Sequence, residues 1–223
     1  MRLVKILTVG TALLTLTLTS AYADGSNNSD GGASNVLNGQ VNLNTQQATL
    51  NMSSNGVVGV VSGAAMAGGN AIDIATMNNT NIYNNQYVGG VNIGADAYAN
   101  IANTAGEVQL QSQSVCNSAG IAMDSASTSV SNTQNCSATD TSATLHANVS
   151  NTLNDATLAT TAVGNTIEEE TNAPSGSISN SQTNHSSMFA GTTVRASNID
   201  GNLSASATAI GNTGQITHYS TGN

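Results

Sequence analysis

The residues of this chain that could do ionic or covalent chemistry are few, and none of them stand together. His146, His185 and His218 lie far apart in sequence, and none has an acid or cysteine at metal-ligand spacing. Each is expected to be an ordinary strand or loop residue. Serine and threonine are abundant, but no G-x-S-x-G elbow or comparable nucleophile setting occurs. A glycosidase can be built from carboxylates alone, but it needs two of them facing across a cleft lined with aromatic rings. Here the acids are scattered and aromatic residues make up 3% of the chain. The expectation is a protein that is not an enzyme, with no catalytic residue, no metal site and no cofactor.

Three further groups invite a chemical reading. Gly68-Gly69-Asn70-Ala71-Ile72-Asp73 approximates one calcium-binding turn of a β-roll, with Ala71 where glycine is wanted and no tandem copy behind it. Glu168, Glu169 and Glu170 would alternate sides on an extended chain, so a solvated charged turn is expected in place of a cation site. Arg195 is the only cation after residue 23; an exposed strand position is expected, with a partner acid across a subunit contact as the alternative.

Cys116 and Cys136 are the only cysteines. They lack the C-x-x-C spacing of redox and zinc motifs, and an even pair in an exported chain reads as a structural disulfide. Export itself is read from Met1 to Ala23. Arg2 and Lys5 precede an apolar stretch from Ile6 to Leu18, and Ala21-Tyr22-Ala23 offers small residues for a signal peptidase. That stretch is shorter than the ~20 residues that span a bilayer, and no later segment is long and apolar enough to serve as a transmembrane helix. Localisation outside the cell, at its surface or in the medium, follows.

Beyond Ala23 one arginine and no lysine stand against twelve acids, while Asn, Ser and Thr account for 80 of 200 residues. Nucleic-acid and phosphate recognition draw on cations, so a nucleic-acid partner is not expected. With no Trp and a single Phe, a wide globular core is not available either. Ala, Val, Ile and Leu must fill a thin interior.

The elements that would carry these residues are strands. Val91 to Asn103 places Val91, Ile93, Ala95, Ala97, Ala99 and Ile101 on one parity, the period-two signature of a strand with one buried face. Ile72/Ile74, Val108/Leu110, Ile121/Met123, Leu145/Ala147/Val149 and Ala205/Ala207/Ala209 repeat it. Val41 and Leu43 alternate in the same way, as do Ala48, Leu50 and Met52 after a slip of one. Asp24 to Gln40 reads as a flexible tether ahead of a main β domain over 41–171. Pro174 marks a boundary before a C-terminal β segment over 175–223 that is continuous with the main domain.

A box recurs at Ala67-Gly68-Gly69-Asn70-Ala71, Asn100-Ile101-Ala102-Asn103-Thr104, Ala162-Val163-Gly164-Asn165-Thr166 and Ala209-Ile210-Gly211-Asn212-Thr213. The intervals are 33, 62 and 47 residues, which implies a degenerate repeat with uneven insertions in place of a fixed period. Two segments, Tyr98 to Gln109 and Ala209 to Thr217, resemble the curlin repeats of bacterial surface amyloid fibres. The Ala-x-Ala-[Ile/Val]-Gly-Asn-Thr phrasing is also similar to holdfast-anchoring surface proteins of stalked alphaproteobacteria. The resemblance implies a surface protein that fastens an adhesive polysaccharide to the cell envelope.

The expected fold is therefore all-β, a parallel β-solenoid or solenoid-like stack, with a β-sandwich (pilin-like, with strand donation) as the alternative. The expected role is a secreted structural protein, subunit or anchor of a surface fibre or adhesive matrix, self-associating into filaments through strand pairing. Other surface proteins or polysaccharide are further partners. Val41, Leu43, Ala48, Leu50 and Met52 form the candidate donated strand. In the alternative, a monomeric adhesin binding polysaccharide, Tyr83 and Tyr87 form the contact patch.

Overall fold

The computed structural model describes residues 34–76, 79–123, 127–172 and 175–219. Twelve strands succeed one another in a repeating order of three. The first coil holds β1 Ser34–Asn42, β2 Gln46–Asn55 and β3 Val61–Thr76; the second, β4 Thr80–Gly89, β5 Asn92–Thr104 and β6 Val108–Met123. The third holds β7 Ser127–Ser137, β8 Asp140–Thr152 and β9 Ala156–Thr171; the fourth, β10 Ser175–Asn184, β11 Ser187–Ile199 and β12 Leu203–His218. Every first strand pairs with first strands, every second with second and every third with third, in three sheets of order β1-β4-β7-β10, β2-β5-β8-β11 and β3-β6-β9-β12. All pairings are parallel. The chain is a four-coil parallel β-solenoid, and β10–β12 continue it as the last coil.

The register corrects the uneven repeat expected from the sequence. Ser34 pairs with Thr80, Thr80 with Thr128 and Thr157 with Ser204, so the coil is 46 to 48 residues throughout. The boxes had mixed two rows. Asn70, Asn165 and Asn212 share one row with Asn117, whose local sequence Val115-Cys116-Asn117-Ser118 hides it because Cys116 replaces the glycine. Asn103 belongs to a different row, at the end of the second strand of its coil, with Asn151 and Asn198.

Each row makes a corner. Asn103, Asn151 and Asn198 adopt φ of 54, 51 and 52°, and Gly56 takes the matching place in the first coil at φ 73°. Asparagine tolerates this left-handed conformation better than other side-chain-bearing residues. The other corner lies inside the long third strands. In β6, Val108, Leu110, Ser112 and Ser114 are buried before the corner, and Asn117, Ala119, Ile121 and Met123 after it, so the inward parity switches. Cys116 drops out of the paired register there, as do Gly69, Gly164 and Gly211 on the other coils. A one-residue bulge of this kind bends a strand and turns its side chains over.

The bend divides the interior into two apolar columns. One lies between the second sheet and the first half of the third, around Ile93, Ala97, Leu110, Leu145 and Leu158. The other lies between the first sheet and the far half of the third, around Ile74, Ile82, Ile121, Val130 and Ile167. Side chains stack at the strand spacing of ~4.8 Å, so a narrow interior is filled by rows of small residues. Ala48, Ala95, Ala143 and Ala190 form one such row, with Ala95 and Ala143 wholly buried.

Cys116 and Cys136 form a disulfide, with Cα atoms 5.9 Å apart. It joins the last strand of the second coil to the first strand of the third. Its loop of 20 residues should stabilise by about 3 kcal/mol on the chain-entropy estimate. Replacing both cysteines by serine should lower the thermal midpoint by about 6–12 °C for a chain of this size, read by circular dichroism against the oxidised protein.

The first strand departs from expectation. Val41 and Leu43, expected on a buried face, are 68 and 62% exposed, and the inward residues of β1 are Val36 and the amides Asn38, Gln40 and Asn42. β1 also begins at Ser34, inside the stretch expected as a tether. Both differences have one cause: the first sheet presents amides to the interior.

Candidate functional site

Those amides form ladders that run the length of the stack. Gln86 Nε2 donates to Gln40 Oε1 (2.8 Å) and to the Ser118 carbonyl (2.9 Å); Gln134 Nε2 donates to Gln86 Oε1 (2.8 Å) and to the Thr166 carbonyl (3.0 Å). Gln182 Nε2 repeats this towards Gln134 Oε1 (2.8 Å) and the Thr213 carbonyl (3.1 Å). Every glutamine therefore donates towards the first coil and ties its own coil across the interior.

Two asparagine ladders run the opposite way. Asn38, Asn84 and Asn132 each donate to the next asparagine of their row, ending at Asn180, over 2.6 to 2.7 Å. Asn70, Asn117 and Asn165 do the same, ending at Asn212, over 2.7 to 2.9 Å. Asn84, Asn117, Asn132 and Asn165 are all buried, where an unmade amide bond would cost about 1–3 kcal/mol. A fourth ladder, outside, links Asn198, Asn151, Asn103 and Asn55. Such a seam is satisfied only in the coil interior, because each amide needs a neighbour on both sides.

At the two ends the neighbours are missing. Among the described residues, Gln40 keeps one amide hydrogen without an acceptor, and the side-chain oxygens of Asn38 and Asn70 receive no donor. On the fourth coil the Gln182 oxygen, and hydrogens of Asn180 and Asn212, are left over. The apolar rows end open on the fourth coil, where Leu203, Ile210 and Ile216 are 45, 36 and 55% exposed, whereas Val61 and Ile74 of the first coil are buried. Among the described residues no helix or loop covers β10–β12. No lysine guards either edge, although lysine is a common protection against edge-to-edge pairing.

Several buried hydroxyls, those of Thr76, Thr104, Ser114 and Thr152, have no hydrogen-bond partner, and one buried carboxyl shares that state. Glu169 stands in the row Ile74, Ile121, Glu169, Ile216. It is wholly buried and neither carboxylate oxygen has a hydrogen-bond partner. Burial alone pushes its pKa above the ordinary 4.5. Glu168 and Glu170 point out to solvent, so the three acids do alternate, but in strand β9 and not in a turn.

The remaining sequence candidates are placed as follows. Ala48, Leu50 and Met52 lie in β2, paired with Ala95, Ala97 and Ala99 of the same chain, so this segment closes the first coil. Val41 pairs with Tyr87 in the same way. Tyr83 and Tyr87 share the outer face of β4, and the Tyr87 ring lies over Gly89. Asp73 is exposed on β3 beside Gly120, and among the described residues no cluster of metal-ligating side chains occurs. The signal segment lies outside the described residues, as does Pro174.

Sequence reasoning missed the outer face of the second sheet. Tyr98 and His146 stack there with ring centroids 5.3 Å apart and planes 13° from parallel. Asn100, Asn148 and Arg195 line the same groove of about 520 Å³. Phe189, 57% exposed, lies across Gly191 on this face. Tyr98 and His146 are 48 residues apart, so only the true repeat length could have revealed the pair.

Comparison with known protein families shows a match that spans nearly the whole chain: a family model described as holdfast attachment protein D fits residues 13–222. No curated protein matches the sequence, and no solved structure matches the fold.

Proposed function

Because the chain belongs to the holdfast attachment protein D family, which sets it at a bacterial cell surface in an adhesive structural role, we propose that it is a fibre subunit or anchor assembled through β-strand pairing between chains. Residues 1–23 direct its export. Other surface proteins or the adhesive polysaccharide are its remaining partners. The observation that carries this reading is that, among the described residues, both ends of the solenoid are bare edge strands with unfinished amide ladders. Repeat stacks ordinarily need terminal caps with a polar outer face, and the fourth coil instead exposes the aliphatic row ends Leu203, Ile210 and Ile216.

Low charge fits the same role. Within the strands no two acids occupy neighbouring positions of one row; Glu107 and Asp155 do stand at matching places, but in the loops just before β6 and β9. The test is electron microscopy of the exported protein over a range of concentrations, beside the variant Ala207→Lys/Ile216→Lys. Those charges sit on the open face of β12. Filaments are expected from the natural chain and discrete particles from the variant, with strand content unchanged by circular dichroism. Discrete particles from the natural chain at every concentration would overturn the proposal.

A second reading, a monomeric adhesin that holds polysaccharide, has its own observation in the groove of Tyr98, His146 and Arg195. Exposed rings flanked by side-chain amides suit sugar faces and hydroxyls. It predicts discrete particles that retain a saccharide in pull-down, with retention lost in Tyr98→Ala.

A further inference from the structure

We infer that the partner for each open end is a second copy of this chain, joined head to tail, with β1, β2 and β3 of one copy laid in register on β10, β11 and β12 of the next. This rests on the reading that assembly proceeds by strand pairing, and it adds the partner, the polarity and the register.

The argument comes from the unfinished ladders. Extending the register by one coil places Gln182 against the next copy's Gln40, Asn180 against its Asn38 and Asn212 against its Asn70. Gln40 has the spare hydrogen and Gln182 the spare oxygen. Asn180 and Asn212 have spare hydrogens, and Asn38 and Asn70 spare oxygens. All three pairs are complementary, although the glutamine ladder runs opposite to the two asparagine ladders. On the outside, the Asn198 oxygen likewise meets a free Asn55 amide.

The alternatives fail this test. Two fourth coils face to face would set donor-rich Asn180 and Asn212 and acceptor-only Gln182 off their rows, because turning a parallel coil over makes its strands antiparallel. Two first coils would fail in the same way. A slip of one residue turns every side chain to the other face and would bury the outward Asp73.

Volume and charge agree with the in-register junction. Ile216 meets Ile74, Leu203 meets Val61, Ala190 meets Ala48 and Gly214 meets Ile72. The junction repeats interior contacts that the fold already makes three times. Asp73 meets Gln215, and Arg195 meets Ser53, so no like charges are opposed. The joint is heterologous, uses different surfaces on the two partners and leaves each new end free. It therefore propagates as an open filament with two unlike ends.

Cross-linking separates the junction from the broader reading. Ser62 and Ser204 are exposed, point outward and would be neighbours across the joint. Neighbouring strands at ~4.8 Å allow a disulfide between paired positions. A Ser62→Cys chain mixed with a Ser204→Cys chain, oxidised during assembly, should give a covalent dimer, and neither variant alone should give one. The offset pair Ala64→Cys with Ser204→Cys should react at least tenfold less. Filaments by microscopy whose cross-links form in Ser204→Cys alone, or only with the offset pair, would overturn the junction and leave strand-paired assembly standing. The absence of filaments from the natural chain would overturn both.

Discussion

Glu169→Ile should make this protein more stable, by about 2–4 kcal/mol, which for a chain of this length is about 4–16 °C in the thermal midpoint. Isoleucine is the residue the row already uses at positions 74, 121 and 216, so its shape is accommodated. The carboxyl it replaces is wholly buried and unpartnered. The column around it is aliphatic, formed by Ile74, Ile82, Ile121, Val130 and Ile167. The sign of the pH dependence follows. A carboxyl whose pKa is raised in the folded state costs nothing extra while it is protonated in both states. The cost grows as pH rises past 4.5, where the unfolded chain gives up its proton, and levels off above the raised folded value. The natural protein should therefore lose stability between pH 4 and neutrality relative to Glu169→Ile, and the gap between them should be widest at high pH. Denaturant unfolding followed by circular dichroism at several pH values measures this. Glu168→Ile, on the exposed side of the same strand, should stay within about 0.5 kcal/mol. A gap that does not change with pH would mean that Glu169 finds a partner in solution.

The parts of this fold that could be read from sequence are those that rest on period two. Val91 to Asn103 alternates because Ile93, Ala95, Ala97, Ala99 and Ile101 face a dry column, and burial selects apolar side chains whatever the neighbouring coil contains. The β1 strand broke the pattern because its inward face is held by hydrogen bonds. A row of amides each paired above and below is as compatible with the interior as a row of valines, so Val41 and Leu43 could be left outside. The pattern of apolar residues cannot distinguish these cases without the register. The register was hidden because two different corners use asparagine, and because the second coil carries Cys116 where the others carry glycine. The disulfide was legible from composition alone. The amide ladders were not, since thirty-one asparagines beyond residue 23 give no hint of which four share a row. The open ends were foreshadowed only by the absence of lysine. The stacked Tyr98 and His146 pair needed a repeat length that the boxes misstated.

Gly164→Val should be strongly damaging, costing more than about 4 kcal/mol. A Cβ at this corner would overlap the carbonyl oxygen of Gly211 on the next coil and come within 2.9 Å of the Asn184 side chain. The obstacle is backbone, so a rotamer change cannot relieve it. The third and fourth coils would have to separate at the bulge, beside Asn165, whose amide donates to Asn212 (2.7 Å) and to the Thr183 carbonyl (2.7 Å). Both bonds bridge the same two coils, so the clash would also strip a buried amide of its partners. Gly69 is constrained in the same way by the Cys116 carbonyl. Gly39 is the control: nothing lies within 4 Å of a Cβ there, and Gly39→Val should change stability by no more than about 0.5 kcal/mol. Limited proteolysis with mass spectrometry would read the difference. Gly164→Val should be cut between the third and fourth coils under conditions that leave Gly39→Val intact. Equal resistance would show that the corner can open without loss, and that the glycine serves something other than close approach of the coils. Because the fourth coil carries the face proposed to meet the next copy, Gly164→Val should also abolish filaments. Gly39→Val, which adds only an outward side chain to the first coil, should not.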